Sequence, residues 1–254
     1  MQKLIFGEAI EEMKRIDDGS IDMVLADIPY GSTLCKWDNV IPFEPMWEQL
    51  NRVIKKNGAI VLFGSEPFSS ALRMSNIKNY RYDWIWKKTM ATLFQHANRM
   101  PMKIHENISV FYSKSPTYNP QKTKRDTPYT RKTGDRGISG FHNNPIPYKP
   151  NINIEDSFPV GVIEFSNGNR NRLHPTQKPV ALMEYLIKTY TNDGETVLDF
   201  TCGSGSTIVA CRNTGRNGIG IDNGFCEKDK VINGIQIKGL PWVEIAQLRL
   251  DGKL

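Results

Sequence analysis

An acidic residue stands at an unusual place in the N-terminal part of the sequence. The stretch "LADIPYGST", residues 25–33, continues the apolar run "DMVLA", and its polarity changes at Asp27. The apolar run is typical of a buried strand, and Pro29 and Gly31 are typical of the turn that ends one. That turn explains neither the acid nor the aromatic Tyr30. Asp27 is therefore either a turn or helix-capping residue, or a carboxylate placed for chemistry at the end of a strand.

A glycine-rich turn in the C-terminal part has the pattern of a ligand site. In "TVLDFTCGSGST", residues 196–207, an apolar strand ends at Asp199 and leads through glycines into a helical segment. Such glycines let the backbone approach a ligand beyond the carboxyl end of a strand, although a tight turn alone also requires them. The next strand, "GIGID", ends in Asp222 about 20 residues later, where an acid commonly binds ribose hydroxyls. No P-loop lysine follows, which disfavours a nucleoside triphosphate, and Asp199 suits a ligand with a positively charged amine.

Together the two motifs resemble those of the β-type DNA amino-methyltransferases, which use S-adenosylmethionine and carry a (D/N/S)-P-P-Y signature. Residues 27–30, "DIPY", match this signature except at Ile28. The block "HPTQKPVALMEYLIKTYTNDGETVLDFTCGSGST…GIGID", from His174 to Asp222, is similar to the family's cofactor block, and "GEAIEEMKRIDDGSIDMVLADIPYG" to its catalytic half. The order of the blocks, with a basic region between them, is that of the β-type permutation.

The resemblance implies a set of cofactor-binding residues from separate parts of the chain: Glu8, Thr176, Lys178, Asp199, Phe200, Gly203, Gly205 and Asp222. By this resemblance Asp199 and the glycines would hold the methionine part of S-adenosylmethionine, and Asp222 would bind its ribose. Glu8 would lie near the adenine of the cofactor. Glu8 and Asp222 are alternatively ordinary polar strand ends, and Lys178 is alternatively a solvated charge.

Methyl transfer gives a chemical reason for the composition of residues 27–30. The exocyclic amine of adenine or cytosine is a poor nucleophile, because its lone pair is delocalised into the ring. The Asp27 carboxylate and the Ile28 carbonyl would accept its two N–H groups and direct the lone pair at the sulfonium methyl, while Pro29 restricts the backbone. Tyr30 would stack on a base flipped out of the duplex. Transfer would be direct and in line, without a covalent intermediate.

Position 28 departs from the family signature, which usually has proline there. Because the second acceptor is a backbone carbonyl, we expect Ile28 to cost rigidity but to keep the reaction type, and we expect restored proline to keep or raise activity. Asp27, rather than serine, favours adenine N6 over cytosine N4 within the family. The sequence therefore predicts a site-specific DNA adenine-N6 methyltransferase. The alternatives are an N4-cytosine methyltransferase and a non-catalytic DNA-binding relic of the same fold.

The region between the two blocks carries the positive charge of the chain. Residues 114–150 contain eight Lys and Arg but two acids, a difference equal to the net charge of +6, with tyrosines interleaved. This composition fits a nucleic-acid-binding module and equally a solvated insertion. We expect a target-recognition insertion at residues 114–172, between two parts of a methyltransferase domain at 1–113 and 173–254. Its expected DNA contacts are Lys122, Lys124, Arg125, Arg131, Lys132 and Arg136.

The elements that must position these motifs alternate between strand and helix. The longest helical pattern, "FEPMWEQLNRVIKKNG", begins at Phe43 and is predicted to close at Asn57-Gly58. Several strands are apolar throughout, which is typical of a parallel sheet covered on both faces. The predicted fold is therefore α/β, with a doubly wound, mostly parallel sheet of the S-adenosylmethionine-dependent methyltransferase type and an irregular basic insertion.

Composition argues against several other classes of protein. The N-terminus turns acidic at Glu8 and no run of about 18 apolar residues occurs, so we expect neither a signal peptide nor a membrane span. The four cysteines form no C-x-x-C pair and share no ligand spacing with the four histidines, which indicates reduced thiols and no metal site. The expected cofactor is S-adenosylmethionine, the substrate is double-stranded DNA, and the location is cytoplasmic. A homodimer and a cognate restriction endonuclease are further partners that the resemblance suggests.

Overall fold

Strands and helices alternate along most of the chain. The computed structural model describes residues 1–31, 38–131, 152–168, 173–174 and 176–254. Within these ranges the strands are β1 (Gln2–Phe6), β2 (Ile21–Ala26), β3 (Ile54–Gly64), β4 (Tyr80–Thr92), β5 (Lys103–Phe111), β6 (Thr123–Arg131), β7 (Ile152–Ser157), β8 (Val162–Phe165), β9 (Thr196–Asp199), β10 (Asn217–Asp222), β11 (Val231–Ile232) and β12 (Ile235–Gln236). The helices are α1 (Ala9–Met13), α2 (Phe43–Val53), α3 (Phe68–Ser75), α4 (Val180–Tyr190), α5 (Ser206–Asn213) and α6 (Trp242–Leu250), with a 3-10 turn at Phe94–His96.

One large sheet organises the first of two compact units, which consists of Met1–Asn119 and Gly161–Leu254. Its eight described strands lie in the order β1-β10-β9-β2-β3-β5-β4-β8. The five strands from β1 to β3 are parallel, β5 is antiparallel to β3 and β4, and β8 is parallel to β4. The predicted doubly wound, mostly parallel sheet is confirmed. Because β1, β10, β9 and β2 are parallel neighbours, the residues after their carboxyl ends lie along one edge of the sheet.

Helices cover both faces of this sheet, and neighbouring residues of β3 show how. Val61 packs with Leu186 of α4 in the core on one face. Leu62, the next residue, packs with Leu50 of α2 in the core on the other face, as the two-residue period of a strand requires. All four side chains are fully buried, and each such burial stabilises the fold by about 1.5–3 kcal/mol. The sheet is therefore held between two apolar layers, which fix its polar carboxyl edge in place.

The second helix ends earlier than the sequence predicts. α2 stops at Val53, and β3 begins at Ile54, whose backbone is extended. The predicted helix end at Asn57-Gly58 is therefore wrong, since both residues lie within β3. Ile54 stands opposite Ile21 of β2 in the parallel register. Pairing with the neighbouring strand thus replaces the last helical turn that the apolar spacing indicates.

The second compact unit, Pro120–Val160, contains an antiparallel strand pair where the sequence predicts an irregular insertion. In the pair of β6 and β7, Lys124 lies opposite Asp156. The Arg125 guanidinium donates to the Ser157 hydroxyl at 2.9 Å. The described part of the insertion is therefore regular. Its strands were missed because "TKRDTPYTR" has no apolar alternation.

The bounds of this unit differ from the expected insertion of residues 114–172. The segment Val162–Phe165 forms β8 and pairs with β4, so it belongs to the main sheet. Of the expected DNA contacts, Lys132 and Arg136 lie outside the described residues, and of Arg131 only the backbone is described. Among the helices of the described ranges, none has both the length and the apolar character needed to cross a membrane.

Candidate active site

A cavity of about 800 Å³ opens at the carboxyl ends of the parallel strands. Its walls include residues that end or follow four neighbouring strands, namely Glu8, Asp27, Asp199 and Asp222. Ligands of open α/β sheets bind at this edge, and the volume is typical of sites for small molecules. The two motifs found in the sequence therefore meet in one cavity.

Asp27 follows β2 directly, and partners hold both oxygens of its carboxylate. Oδ1 accepts a hydrogen bond from the Tyr30 hydroxyl at 2.6 Å, and Oδ2 accepts one from Lys178 Nζ at 2.5 Å. The Asp27 carbonyl accepts from the Thr201 hydroxyl at 3.2 Å, which ties this loop to the glycine-rich turn. Each carboxylate oxygen has a second lone pair, so Asp27 keeps the capacity to accept from a bound amine.

The loop after Asp27 takes its shape from Asp38, a buried residue that sequence reasoning missed. Asp38 Oδ1 accepts from the backbone N–H groups of Tyr30 at 2.8 Å and Gly31 at 3.0 Å. Gly31 has a φ of 65°, in the region where glycine is favoured. The Ile28 side chain is 3% exposed and packs in the core beneath α2. No described residue donates a hydrogen bond to the Ile28 carbonyl, which stays available as an acceptor.

The Tyr30 ring is already stacked on one side. It lies against the Phe68 ring with centroids 5.2 Å apart and an interplanar angle of 29°. Burial and the neighbouring Asp27 carboxylate raise the pKa of Tyr30 well above its usual value, so the hydroxyl keeps its proton and donates to Asp27. A base that stacks on Tyr30 would therefore take the ring face opposite Phe68.

Two buried lysines and two partly buried carboxylates line the cavity next to this loop, and we call them the buried ion cluster: Asp27, Lys178, Glu106 and Lys88. Lys178 Nζ lies 2.5 Å from Asp27 Oδ2 and 3.2 Å from Glu106 Oε2. Lys88 Nζ lies 2.5 Å from Glu106 Oε1. The two ammonium groups balance the two carboxylates, as burial of charge requires. Lys178, predicted to build the cofactor pocket, thus directly contacts Asp27.

Burial and pairing act against each other within the buried ion cluster. Burial raises the pKa of Asp27, and the Lys178 ammonium opposes this effect without cancelling it. For Glu106, burial also raises the pKa, but Lys178 and Lys88 outweigh it and leave the pKa below its usual value. Burial lowers the pKa of Lys178, and Asp27 and Glu106 outweigh it, so this lysine stays charged. Of the two carboxylates, Asp27 is therefore the one that protonates first as pH falls.

Glu106 and Lys88 were not identified from the sequence, although a signal was present. Trp84, Trp86 and Lys88 alternate along β4, and all three are buried. Glu106 stands directly opposite Trp86 in the register of β4 and β5. A lysine two residues beyond two tryptophans shares their face of the strand. A charged residue on an apolar face needs a buried partner, which would have indicated a site here.

Asp199 ends β9 in an enclosed position and is 3% exposed. Its Oδ2 accepts from the Thr207 hydroxyl at 2.5 Å, and its Oδ1 accepts from the Thr201 N–H at 3.2 Å. Burial raises the pKa of Asp199 to about 7. A cationic group bound next to it would favour the ionised carboxylate.

Asp222 at the end of β10 fixes the glycine-rich turn. Its Oδ2 accepts from the Gly203 N–H at 2.9 Å, and its Oδ1 accepts from the Gly224 N–H at 2.8 Å. Gly205, by contrast, is not among the described residues that line the cavity. Its φ is 78°, and a Cβ there would lie 2.5 Å from the Ala246 Cβ of α6. Gly205 therefore serves the turn and helix packing, whereas Gly203 borders the cavity.

The other residues predicted to bind the cofactor lie around the same cavity. Glu8 accepts a hydrogen bond from the Glu11 N–H at 2.9 Å and so caps α1. Phe200 is 1% exposed, with its side chain in the core beneath α2. Thr176 donates its N–H to His174 Nδ1 at 3.3 Å. Burial, aided by Lys178, lowers the pKa of His174 to about 4, so this ring is neutral at pH 7.

Comparisons with known proteins agree with this geometry. The family model N6_N4_Mtase, described as DNA methylase, matches residues 21–228. Over 240 residues the chain is 30% identical to the type II methyltransferase M.HpaI of Haemophilus parainfluenzae. This match covers 87% of this chain and 70% of that protein. It is 29% identical over 240 residues to the DNA adenine methyltransferase YhdJ of Escherichia coli (strain K12), covering 86% of this chain and 77% of that protein.

Among solved structures, the crystal structure of an M1.HpyAVI–SAM complex shares the fold. Its TM-score is 0.61 at 21% identity, and the match covers 98% of this chain and 100% of that one. The family resemblance found in the sequence is confirmed, together with the cofactor it implies. The chain therefore belongs to the N6/N4 family of DNA methylases, enzymes that transfer a methyl group from S-adenosylmethionine to an exocyclic amine of DNA.

Proposed function

We propose that this protein is a site-specific DNA adenine-N6 methyltransferase that flips its target adenine out of duplex DNA. One observation carries the proposal. The Asp27 carboxylate and Ile28, whose carbonyl accepts from no described residue, line the same cavity as the buried Asp199 and the partly buried Asp222. An amine acceptor pair and a site for a cationic nucleoside thus share one cavity, as direct transfer between the two requires.

The acids at the strand ends fit S-adenosylmethionine. The Asp199 carboxylate would hold the cofactor's ammonium group, since it is buried and its described donors, the Thr201 N–H and the Thr207 hydroxyl, are uncharged. Asp222 would accept from the ribose hydroxyls with the lone pairs that the two backbone N–H groups leave free. Glu8, Thr176 and Phe200 would complete the pocket. When bound, the cofactor supplies an electrophilic methyl group on its sulfonium.

The residues of the "DIPY" loop would act on the target base. Asp27 and the Ile28 carbonyl would accept the two N–H groups of the amine, so that its lone pair points away from the ring. With the methyl group transferred from the sulfonium to the amine, the nitrogen would carry one proton too many. Asp27 would accept this proton, because burial already raises its pKa. Tyr30 would orient Asp27 with its hydroxyl and stack on the base with the ring face opposite Phe68.

Two features support adenine over cytosine. Asp27 occupies the first position of the signature, and YhdJ, one of the relatives, is named a DNA adenine methyltransferase. The family description covers both amines, so cytosine N4 is the second candidate. The homodimer, the cognate restriction endonuclease and the cytoplasmic location stay predictions from the resemblance.

The unit Pro120–Val160 would supply target recognition. Lys122, Lys124 and Arg125 are exposed on or next to β6, where they would contact phosphates. Lys122 Nζ also lies 4.7 Å from the centroid of the Phe158 ring, so a cation and an aromatic side chain are adjacent on this surface. Such pairs suit contacts to phosphate and base together.

Identification of the methylated nucleoside tests the proposal. Purified protein is incubated with unmethylated DNA and tritiated S-adenosylmethionine, and the digested DNA is separated into nucleosides. We expect label in N6-methyl-2′-deoxyadenosine. Label in N4-methyl-2′-deoxycytidine alone would replace adenine by cytosine, and cofactor binding without any transfer would identify a non-catalytic relic.

Two variants serve as controls for the site. Asp27→Ala should abolish transfer and leave cofactor binding largely intact. If this variant lost cofactor binding instead, the acceptor and cofactor sites would be wrongly assigned. Asp18→Ala, at an exposed acid that pairs with Arg52 away from the cavity, should keep both properties.

A further inference from the structure

The chain between β4 and β5 forms an arm of exposed apolar side chains. We call residues 89–104 the β4–β5 arm, and every residue from 89 to 102 is exposed. The described residues include 17 exposed large hydrophobic side chains, and six of them lie in this arm: Met90, Leu93, Phe94, Met100, Met102 and Ile104. Phe94 at the turn is 80% exposed. Exposed apolar groups concentrated in this way mark an interaction surface.

The base of the β4–β5 arm is anchored at the rim of the active-site cavity. The Asn167 side chain accepts from the Met90 N–H at 2.9 Å and donates to the Met90 carbonyl at 2.9 Å. The Thr92 hydroxyl donates to the Lys103 carbonyl at 3.2 Å across the arm. Thr92 and Asn167 both line the cavity. Whatever the arm contacts is therefore held next to the opening through which a target base must enter.

Charge identifies the kind of partner. Residues 89–104 contain no Asp or Glu, and the two lysines just before them, Lys87 and Lys88, pair with Glu164 and Glu106. Within the arm itself the charged residues are Arg99, which is exposed near the tip, and Lys103. A second copy of this chain would bring a like-charged arm to a symmetric contact, whereas a polyanion complements it. Cations and apolar groups on one projecting element are the composition of proteins that wedge apolar side chains between base pairs.

The backbone at the tip of the β4–β5 arm holds the Phe94 side chain in solvent. Leu93 has a φ of 65°, which non-glycine residues seldom adopt, and the 3-10 turn Phe94–His96 follows it directly. The turn leaves the Phe94 ring in solvent instead of packing it against the arm. Flipping a base leaves a gap in the stack, and it costs both unstacking and unpairing energy. A flat apolar ring at the cavity rim has the shape and chemistry to fill such a gap.

We propose that the β4–β5 arm inserts Phe94 into the base stack of duplex DNA at the place vacated by the target base, with Arg99 on a flanking phosphate. This inference rests on the proposed function, since it requires a flipped base. It assigns base extrusion to the arm, separately from target recognition by the unit Pro120–Val160.

The test compares a paired duplex with one that needs no wedge. After the recognition sequence is read from DNA of cells that express the protein, kcat/KM is measured on that duplex and on one with a mismatch opposite the target base. We expect Phe94→Ala to lower kcat/KM on the paired duplex by about tenfold or more, because unstacking is no longer compensated. The mismatch should restore most of this loss, since a mismatched base flips at less cost.

Matched variants separate the wedge from other effects. Ile77→Ala removes an apolar side chain that is 57% exposed on the same unit but outside the arm, and it should behave as wild type on both duplexes. Phe94→Trp keeps a flat ring and should retain transfer on the paired duplex. Thermal unfolding of all variants should be unchanged, because Phe94 is exposed.

Several results would overturn the inference. Equal losses on the paired and mismatched duplexes, or no loss on either, would show that Phe94 does not act in extrusion. If the wild-type protein sedimented as a dimer and Phe94→Ala as a monomer, with the same ratio of kcat/KM between the two duplexes, the arm would instead be assigned to contact with a second copy of the chain. If the wild-type protein transferred no methyl group to any DNA, the proposed function would fail first, which is a distinguishable outcome.

Discussion

Replacing Lys178 by methionine would leave the two partly buried carboxylates of Asp27 and Glu106 facing the cavity without the ammonium between them. In the folded protein Lys178 Nζ lies 2.5 Å from Asp27 and 3.2 Å from Glu106, and its side chain is 6% exposed. Methionine has a similar volume and keeps the apolar contacts of the lysine stem. The substitution therefore removes charge and hydrogen bonds with little change of shape.

The magnitude follows from the cost of an uncompensated buried charge. Removing one partner of a buried ion pair typically costs about 3–5 kcal/mol. We expect Lys178→Met to lose about this much free energy of unfolding at pH 8. Burial holds the pKa of Asp27 above its unfolded value, and loss of Lys178 raises it further. A raised pKa in the folded state means that the folded protein binds more protons, so the destabilisation should shrink as pH falls towards 6.

Activity should respond in a way that unfolding alone does not predict. Transfer needs Asp27 as a carboxylate, so the acid limb of kcat against pH should move to higher pH in Lys178→Met. A shift of about 1 pH unit corresponds to about 1.4 kcal/mol of lost carboxylate stabilisation. Glu106→Gln removes a negative charge that raises the pKa of Asp27, so its acid limb should move to lower pH. Lys88→Met is the matched control, because among the carboxylates of the cluster Lys88 pairs with Glu106 and not with Asp27.

Urea unfolding at several pH values and single-turnover transfer rates across the same range would check this prediction. If the acid limb stayed in place in Lys178→Met, the ammonium would not control the charge of Asp27. A shift of the same size in Lys88→Met would attribute the effect to general loss of stability. Shifts of the same sign in Lys178→Met and Glu106→Gln would also refute the reasoning, since it requires opposite signs.

Three further outcomes are expected. Because burial raises the pKa of Asp199 to about 7, titration calorimetry should show an affinity for S-adenosylmethionine that is about fivefold lower at pH 6 than at pH 7. Asp199→Asn should remove this pH dependence. An affinity of the wild-type protein that does not change with pH would contradict the assigned contact. Ile28→Pro should keep methyl transfer but lose about 1–2 kcal/mol of unfolding free energy, because the buried isoleucine side chain is removed. Loss of transfer at unchanged stability would mean that this loop acts differently from the loop of the family signature. Changing Lys122, Lys124 and Arg125 to glutamine should weaken DNA binding and reduce the slope of log K against log salt by about 2–3, and an unchanged slope would favour a merely solvated insertion.

The cavity could be predicted from sequence because its acids follow strand ends. Asp27, Asp199 and Asp222 each come directly after or at the end of an apolar run, and such runs are buried in a parallel sheet. Parallel strands present their carboxyl ends at one edge, so the acids of three separate strand ends indicate one site without any knowledge of strand order. Local pattern was sufficient here because the geometry of a parallel sheet supplies the long-range part.

The buried ion cluster could not be predicted in the same way, because it depends on strand register. Lys178 and Asp27 are 151 positions apart, and Glu106 reaches them from an antiparallel strand. Whether Lys88 faces the core or solvent depends on which residue of β4 stands opposite Glu106, and a shift by one residue would reverse it. Sequence alone therefore left Lys178 as either a pocket residue or a solvated charge.

Position 28 shows how the structure changes the meaning of a departure from a motif. From the sequence, isoleucine in place of proline appears as a loss of rigidity. In the structure the Ile28 side chain is an apolar anchor beneath α2, and Asp38 fixes the following backbone through two hydrogen bonds. Rigidity that a second proline would give is thus supplied by packing and by a buried carboxylate.

The charge of the cavity is opposite in sign to the net charge of the chain, and each sign suits one of the two ligands of the reaction. Among the described residues that line the cavity, seven are acidic, two are lysines and none is arginine, although the whole chain has a net charge of +6. The acidic interior suits a cofactor that carries a sulfonium and an ammonium group, while the basic exterior suits the phosphates of DNA. Methyl transfer removes the sulfonium charge, so the spent cofactor is attracted less strongly by the same acids. We propose that this difference favours exchange of the spent cofactor, and it would weaken as salt screens the more exposed acids such as Glu8.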